Sequence, residues 1–125
     1  MPNPQKAKGD RYEVDLAHYL NDCVFGTERC QRAPLSGGGK VGLHAGGADI
    51  LGTPDVFVEA KRTERLNVRD AMRQAERNIE QTKSPEAPVV ITRKNREPLE
   101  DSLVVMRLKD WKEFYKSKLR ERGDI

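Results

Sequence analysis

The sequence predicts a single mixed α/β domain, a central mixed β-sheet flanked by α-helices. A chain of 125 residues can bury one hydrophobic core but not two. Short β-patterned runs alternate with segments of helical spacing in the order α-β-β-β-α-β-β-α, the pattern of a sheet covered by helices. Hydrophobic residues make up 36% and charged residues 34%, enough for an economical core beneath a densely ionic surface and too apolar for disorder.

Residues 1–8 are polar, basic and Pro-containing and are expected to form a flexible arm, with a domain over 9–120 and a tail at 121–125. The first helix is expected from Asp10, because Leu16, Ala17 and Leu20 share one stripe. Glu13 lies on that stripe and faces inward, and Asp10-x-x-Glu13 also fits a capping box. The run TERCQRA, residues 27–33, reads as a strand with Arg32 near its end, followed by the long glycine-rich loop PLSGGGKVGLHAGG. Within it SGGGK lacks the GxxxxGK[ST] spacing of a phosphate-binding loop, which excludes nucleotide binding of that kind.

Two strands follow, Ala48–Leu51 and Val56–Arg62, joined through the turn signal Gly52-Thr53-Pro54. A helix over Val68–Gln81 carries an apolar face of Val68, Ala71, Met72, Ala75 and Ile79, flanked by Arg69, Arg73 and Arg77. SPEAP ends it. Val89–Thr92 and Leu103–Met106 read as strands, and a closing helix repeats Leu108, Trp111, Phe114 and Tyr115 at helical spacing.

Several classes are excluded at this level. Cys23 and Cys30 form no CxxC or other ligand spacing, so free thiols are expected and zinc is not. His18 and His44 have no ligand-spaced partners. No run of about 18 apolar residues would span a bilayer, and the start MPNPQKAKGD lacks a signal-peptide core, so a cytoplasmic protein with no membrane partner is expected. The net charge of +3 is only mildly basic, so the placement of the charges matters more than their sum.

Acids interrupt the apolar hairpin ADILGTPDVFVEAKR. Strand alternation sets Asp55, Phe57, Glu59 and Lys61 on one face and Val56, Val58 and Ala60 on the other. Asp55 precedes Glu59 by four residues, roughly 13 Å at about 3.3 Å per residue, too far to share an ion. With an odd-numbered connection Asp49 falls opposite or diagonal to Glu59, with Cβ atoms roughly 5–8 Å apart. Magnesium suits two carboxylates, the Ala60 carbonyl and several waters, and burying the acids without a cation would be costly. Beside them Lys61 is placed to hold or deprotonate a water and to steady charge on a reacting phosphate.

Asp49 followed by Glu59-Ala60-Lys61 resembles the core of the PD-(D/E)XK nuclease superfamily. More narrowly, Lys8-Gly9, Glu13, Arg32, Ser36, Asp49, the run VEAKRT and Arg69-Asp70 resemble the archaeal-type Holliday junction resolvases, over residues 8 to about 115. The resemblance implies a restriction-endonuclease-like fold and a homodimeric, Mg²⁺-dependent enzyme, with Mn²⁺ as a substitute. Its substrate would be branched DNA, a four-way junction cut by paired phosphodiester hydrolysis. It implies Glu13, Asp49, Glu59 and Lys61 as the catalytic set, with Ser36 assisting. Asp49, Glu59, Ala60 and Glu13 are the expected metal ligands. Lys8, Arg11, Arg32, Lys40, Arg62, Arg65, Arg69 and Arg73 are the expected DNA contacts.

Two positions depart from the family pattern. Val14 stands where a basic residue usually follows the first-helix glutamate. Ala48 precedes Asp49 where proline is usual, and the Pro-Asp pair is Pro54-Asp55, which makes Asp55 a rival ligand. The alternatives are another nuclease of the superfamily, acting on flaps or duplex ends, and a DNA-binding module without catalysis.

Overall fold

Asn3 and Pro4 open the first helix, because the Asn3 side chain accepts the Lys6 amide at 3.4 Å, its carbonyl accepts that of Ala7 at 3.0 Å, and proline suits the first helical turn. The computed structural model describes residues 3–34 and 47–125. Helix α1 runs Pro4–Leu20 and continues as a π-helical turn, Asn21–Phe25, ended by left-handed Gly26. This start overtakes the expected one at Asp10 and draws residues 4–8 of the expected arm into the helix. Asp10 is therefore internal to the helix and caps nothing.

The remaining elements are β1 (Gln31–Arg32), β2 (Ile50–Leu51), β3 (Val56–Arg62), α2 (Val68–Thr82), β4 (Ala87–Arg93), β5 (Leu103–Val105) and α3 (Leu108–Arg122). A short 3₁₀ turn, Leu99–Asp101, precedes β5. The order is the α-β-β-β-α-β-β-α of the sequence reading, and the class is α/β. The five strands lie in the order β1-β2-β3-β4-β5, with β3 and β4 parallel and the other pairs antiparallel. Helix α2 is the crossover between the parallel strands, capped by Asn67, whose side chain accepts the Asp70 amide.

Strand β1 is shorter than the run 27–33 for a visible reason. Buried Asn21 accepts the amides of Arg29 (2.9 Å) and Cys30 (2.6 Å) and donates to the Cys30 carbonyl (3.0 Å). Those peptide groups are satisfied by a side chain, so the ladder begins only at Gln31.

Each face of the sheet has its own core. Tyr12, Leu16 and Ala17 of α1 pack on Ile50, Val58, Ala60 and Cys30, with Ile91 at the margin. On the opposite face Ala71 and Met72 of α2 meet Val90, while Ala75 and Ile79 meet Phe57 and Ala48. Helix α3 buries no residue; Leu108, Trp111, Phe114 and Tyr115 are exposed, with Trp111 and Tyr115 stacked at 4.9 Å. Among the described residues no helix is long and apolar enough to cross a membrane.

Candidate active site

Ile50 pairs with Val58, and the Asp49 amide also donates to the Val58 carbonyl at 2.8 Å. Two successive residues thus share one partner, the mark of a β-bulge, which re-aims a side chain. Here the re-aimed carboxylate accepts the Ala60 amide through Oδ2 at 2.8 Å, taking the place of a backbone acceptor. Asp49 is buried at 7% exposure and Glu59, the neighbour of Ala60, at 3%. The bulge sets the Asp49 carboxylate on the amide of the residue next to Glu59, towards the opposite end of β3 from Asp55.

Along β3, Phe57 and Glu59 face α2 while Val58 and Ala60 face α1, as alternation requires. Lys61 lies on the Glu59 face, its Nζ 3.2 Å from Glu59 Oε1 and its side chain 31% exposed. The N–H and C=O of a strand residue leave by the same edge. The Ala60 amide points to Asp49, so the Ala60 carbonyl points to that side too, away from β4. Asp49, Glu59, the Ala60 carbonyl and Lys61 thus gather where β2 gives out alongside β3.

Glu13 is held differently. Its Oε2 accepts Arg32 Nε at 2.9 Å, and Arg32 also reaches Asp10 Oδ1 at 2.7 Å. Asp10 in turn pairs with Lys6 at 2.8 Å. Burial pushes the Asp10 carboxyl up, but Lys6 and Arg32 together outweigh it and hold the group below its ordinary value. Arg32, expected on DNA, is an internal clamp for two α1 acids, and Ala33 beside it donates to the Asp49 carbonyl at 2.8 Å. Among the described residues no three His, Cys, Asp or Glu side chains are grouped to hold a metal.

Asp55 sits at the other end of β3 in a left-handed turn conformation (φ 71°), exposed, its carbonyl accepting the Ala87 amide at 3.0 Å. It is a turn residue, not a companion of Glu59. Ser36 and Lys40 lie outside the described residues. Of the other basic positions, Arg11, Arg65 and Arg69 are exposed, Lys8 and Arg62 are half-buried, and Arg73 pairs with Asp70 along α2.

Sequence reasoning missed Asn21, whose isolated polar side chain at a helix end carries no pattern. It also passed over Arg93, which closes β4 opposite Arg62. The domain so defined is an α/β fold with a buried carboxylate pair and a lysine at the margin of a mixed sheet. Comparisons with family models, with curated proteins and with solved structures find no match to this chain.

Proposed function

We propose that the protein is a Mg²⁺-dependent endonuclease that resolves four-way DNA junctions as a homodimer. The observation that carries this reading is the Asp49–Ala60–Glu59–Lys61 constellation: two buried carboxylates and an outward carbonyl beside an ammonium group. Asp49, Glu59 and the Ala60 carbonyl are the donors that would hold magnesium, a hard-oxygen set that fits its preference for one or two carboxylates plus water. When bound, the ion supplies charge neutralisation at the reacting phosphate. The Asp49 carboxylate is fixed by the Ala60 amide, so it needs little reorganisation on binding. Lys61, held by Glu59, donates to the attacking water or to a non-bridging phosphate oxygen, where negative charge grows. The water oxygen bonds to phosphorus and gives up a proton to solvent as one P–O ester bond breaks, and the departing alkoxide takes up a proton from solvent.

A two-fold dimer would present two such sites to the two-fold symmetric junction. Met72 and Ile79 are used in the protein's own core and are not free to form the dimer seam. Trp111, Phe114 and Tyr115 remain exposed for it. Trp111→Glu should therefore shift sedimentation from dimer to monomer.

Labelled synthetic junctions, flaps, nicked and linear duplexes, incubated with Mg²⁺ or Ca²⁺, test the activity. Paired symmetrical incision of the junction, in magnesium only and lost in Glu59→Gln, is the expected result. Preferred cutting of flaps or ends would assign the chain to a different nuclease of the same chemistry. The second reading, a DNA-binding module without cleavage, draws on the engagement of Glu13 by Arg32. It predicts salt-sensitive junction binding with no incision under any metal.

A further inference from the structure

Thirteen arginines occur in the chain, all among the described residues. Arg32, Arg73, Arg107 and Arg122 have carboxylate partners, at 2.7–3.2 Å where Arg32, Arg107 and Arg122 are concerned. Arg11, Arg29, Arg65, Arg69, Arg77, Arg96 and Arg120 are exposed to water. Arg62 and Arg93 alone are half-buried with no carboxylate partner, and the Nε of each is shut off from solvent without a hydrogen-bond acceptor among the described residues.

These two are direct neighbours. The parallel register of β3 and β4 pairs Arg62 with Arg93 at the last position of both strands. Both continue the face on which Val58, Ala60 and Ile91 pack against α1. Like charges placed side by side on adjacent strands repel, and a buried guanidinium N–H without an acceptor is destabilising. The fold nevertheless holds them in place: the Arg93 guanidinium lies over the Tyr12 ring, 5.5 Å from its centroid, and the Tyr12 hydroxyl donates to Ser102 Oγ at 2.8 Å. Burial raises the Tyr12 pKa, with the Ser102 bond and the charges of Arg93 and Arg62 pulling against it and Glu97 adding to it, so these groups face one another. Glu97, whose Oε1 accepts the Lys94 amide at 2.8 Å, makes no ion pair with either arginine among the described residues.

We propose that Arg62 and Arg93 form an oxyanion site that takes one backbone phosphate of the DNA substrate, on the α1 face at the carboxyl end of β3 and β4. A phosphate supplies several acceptors for the guanidinium N–H groups and cancels their repulsion, and arginine's planar fork matches it. Carboxyl ends of parallel strands are common ligand positions in α/β sheets. Lys61 and Arg62 are consecutive and point to opposite faces, so a strand passing round this end of the sheet meets Lys61 on one side and the arginine pair on the other. The choice of DNA over free phosphate rests on the proposed nuclease reading; the arginine pair itself does not.

Arg62→Gln, Arg93→Gln, their double variant and Arg93→Lys test it. Junction binding is followed by fluorescence anisotropy in Ca²⁺ across a salt series, beside thermal shifts in inorganic phosphate against chloride at matched ionic strength. Because each neutralised phosphate contributes about 0.9 to the slope of log K against log[salt], the double variant should flatten the slope by about that amount. Its affinity near 0.1 M salt should fall roughly tenfold, with Arg93→Lys retaining most of the slope. Arg62→Gln should melt at or above the wild-type temperature, the opposite of a merely structural role. Unchanged slopes, with or without a phosphate-induced thermal shift, overturn the assignment to DNA. Wild-type incision with unchanged slopes would sink the arginine site and leave the nuclease standing; arginine-dependent slopes without incision would do the reverse.

Discussion

Replacing Asp49 separates its structural from its chemical role. Asp49 Oδ2 is the acceptor for the buried Ala60 amide at 2.8 Å, so Asp49→Ala leaves that N–H without a partner in a place water does not reach. An unsatisfied buried donor costs about 1–3 kcal/mol. For a domain of this size that is a fall in Tm of about 4–12 °C. Asp49→Asn keeps an amide oxygen in the same place and removes a negative charge beside buried Glu59. It should therefore lose less than about 1 kcal/mol, or gain, because relief of carboxylate repulsion opposes the weaker hydrogen bond. Urea titrations followed by far-UV circular dichroism, first in chelator and then in Mg²⁺, give both comparisons. In chelator Asn should lie within about 1 kcal/mol of wild type or above it, and Ala should be the least stable. Magnesium at tenfold its dissociation constant should raise wild type by about 1.4 kcal/mol and leave Asn unmoved. If Asn and Ala fall together in chelator, the Asp49–Ala60 bond is not what organises the bulge.

Gly52→Ala should be severely destabilising, by about 3 kcal/mol or more in denaturant titration. The position needs φ +87° and a Cβ there would stand 2.2 Å from the Arg29 carbonyl oxygen, which is backbone and cannot swing away. Asn21→Ala strips acceptor or donor from three backbone groups at the start of β1 and should cost about 2–4 kcal/mol, with amide exchange rising first at Arg29 and Cys30. Asp10 is held low as above, and Glu76 is held low chiefly by its hydrogen bond from Arg107. A depressed carboxyl gives stability that is present above its unfolded value, near 4, and lost as pH falls through the folded one. Denaturation midpoints should therefore drop below about pH 4, and Glu76→Gln should flatten that drop; an unaltered acid limb would refute the assignment.

Element order and the bounds of β3 and α2 were legible because they depend on local periodicity. Val56–Arg62 alternates cleanly, and Asn67 to Ile79 carries both a cap and a 3.6-residue stripe. The start of α1 was misread because Asp10-x-x-Glu13 imitates a cap, while the true cap, Asn3-Pro4, sits in a stretch too polar to look helical. The site was legible in part. The expectation that Asp49 falls opposite or diagonal to Glu59 assumed an odd-numbered connection, whereas residues 52–55 make an even one; the bulge, settled by how the strands pair, is what sets the Asp49 carboxylate on the Ala60 amide. The partner of Glu13 was invisible for a similar reason: Arg32 is 19 residues away, and only folding shows that it claims Asp10 and Glu13 together.

The carboxylates of the candidate site are a poor way to stabilise a sheet, and this gives the sharpest test of their purpose. Glu59 is 3% exposed and its ammonium partner Lys61 is one-third exposed, so desolvation of the acid is only partly offset by a pair that water still reaches. On the same strand face Phe57 packs closely against α2, which shows what position 59 would hold if stability alone were selected. Exchanging a buried pair for apolar residues of like volume is often neutral or stabilising by about 1–4 kcal/mol, whereas removing one partner is strongly destabilising. Glu59→Leu with Lys61→Met should accordingly unfold at equal or higher urea than wild type while losing junction cleavage. Lys61→Met alone should unfold earlier, because it strands the buried carboxylate. Should the double variant instead be less stable than Lys61→Met alone, the pair would be serving the fold, and its place beside Asp49 would need no catalytic explanation.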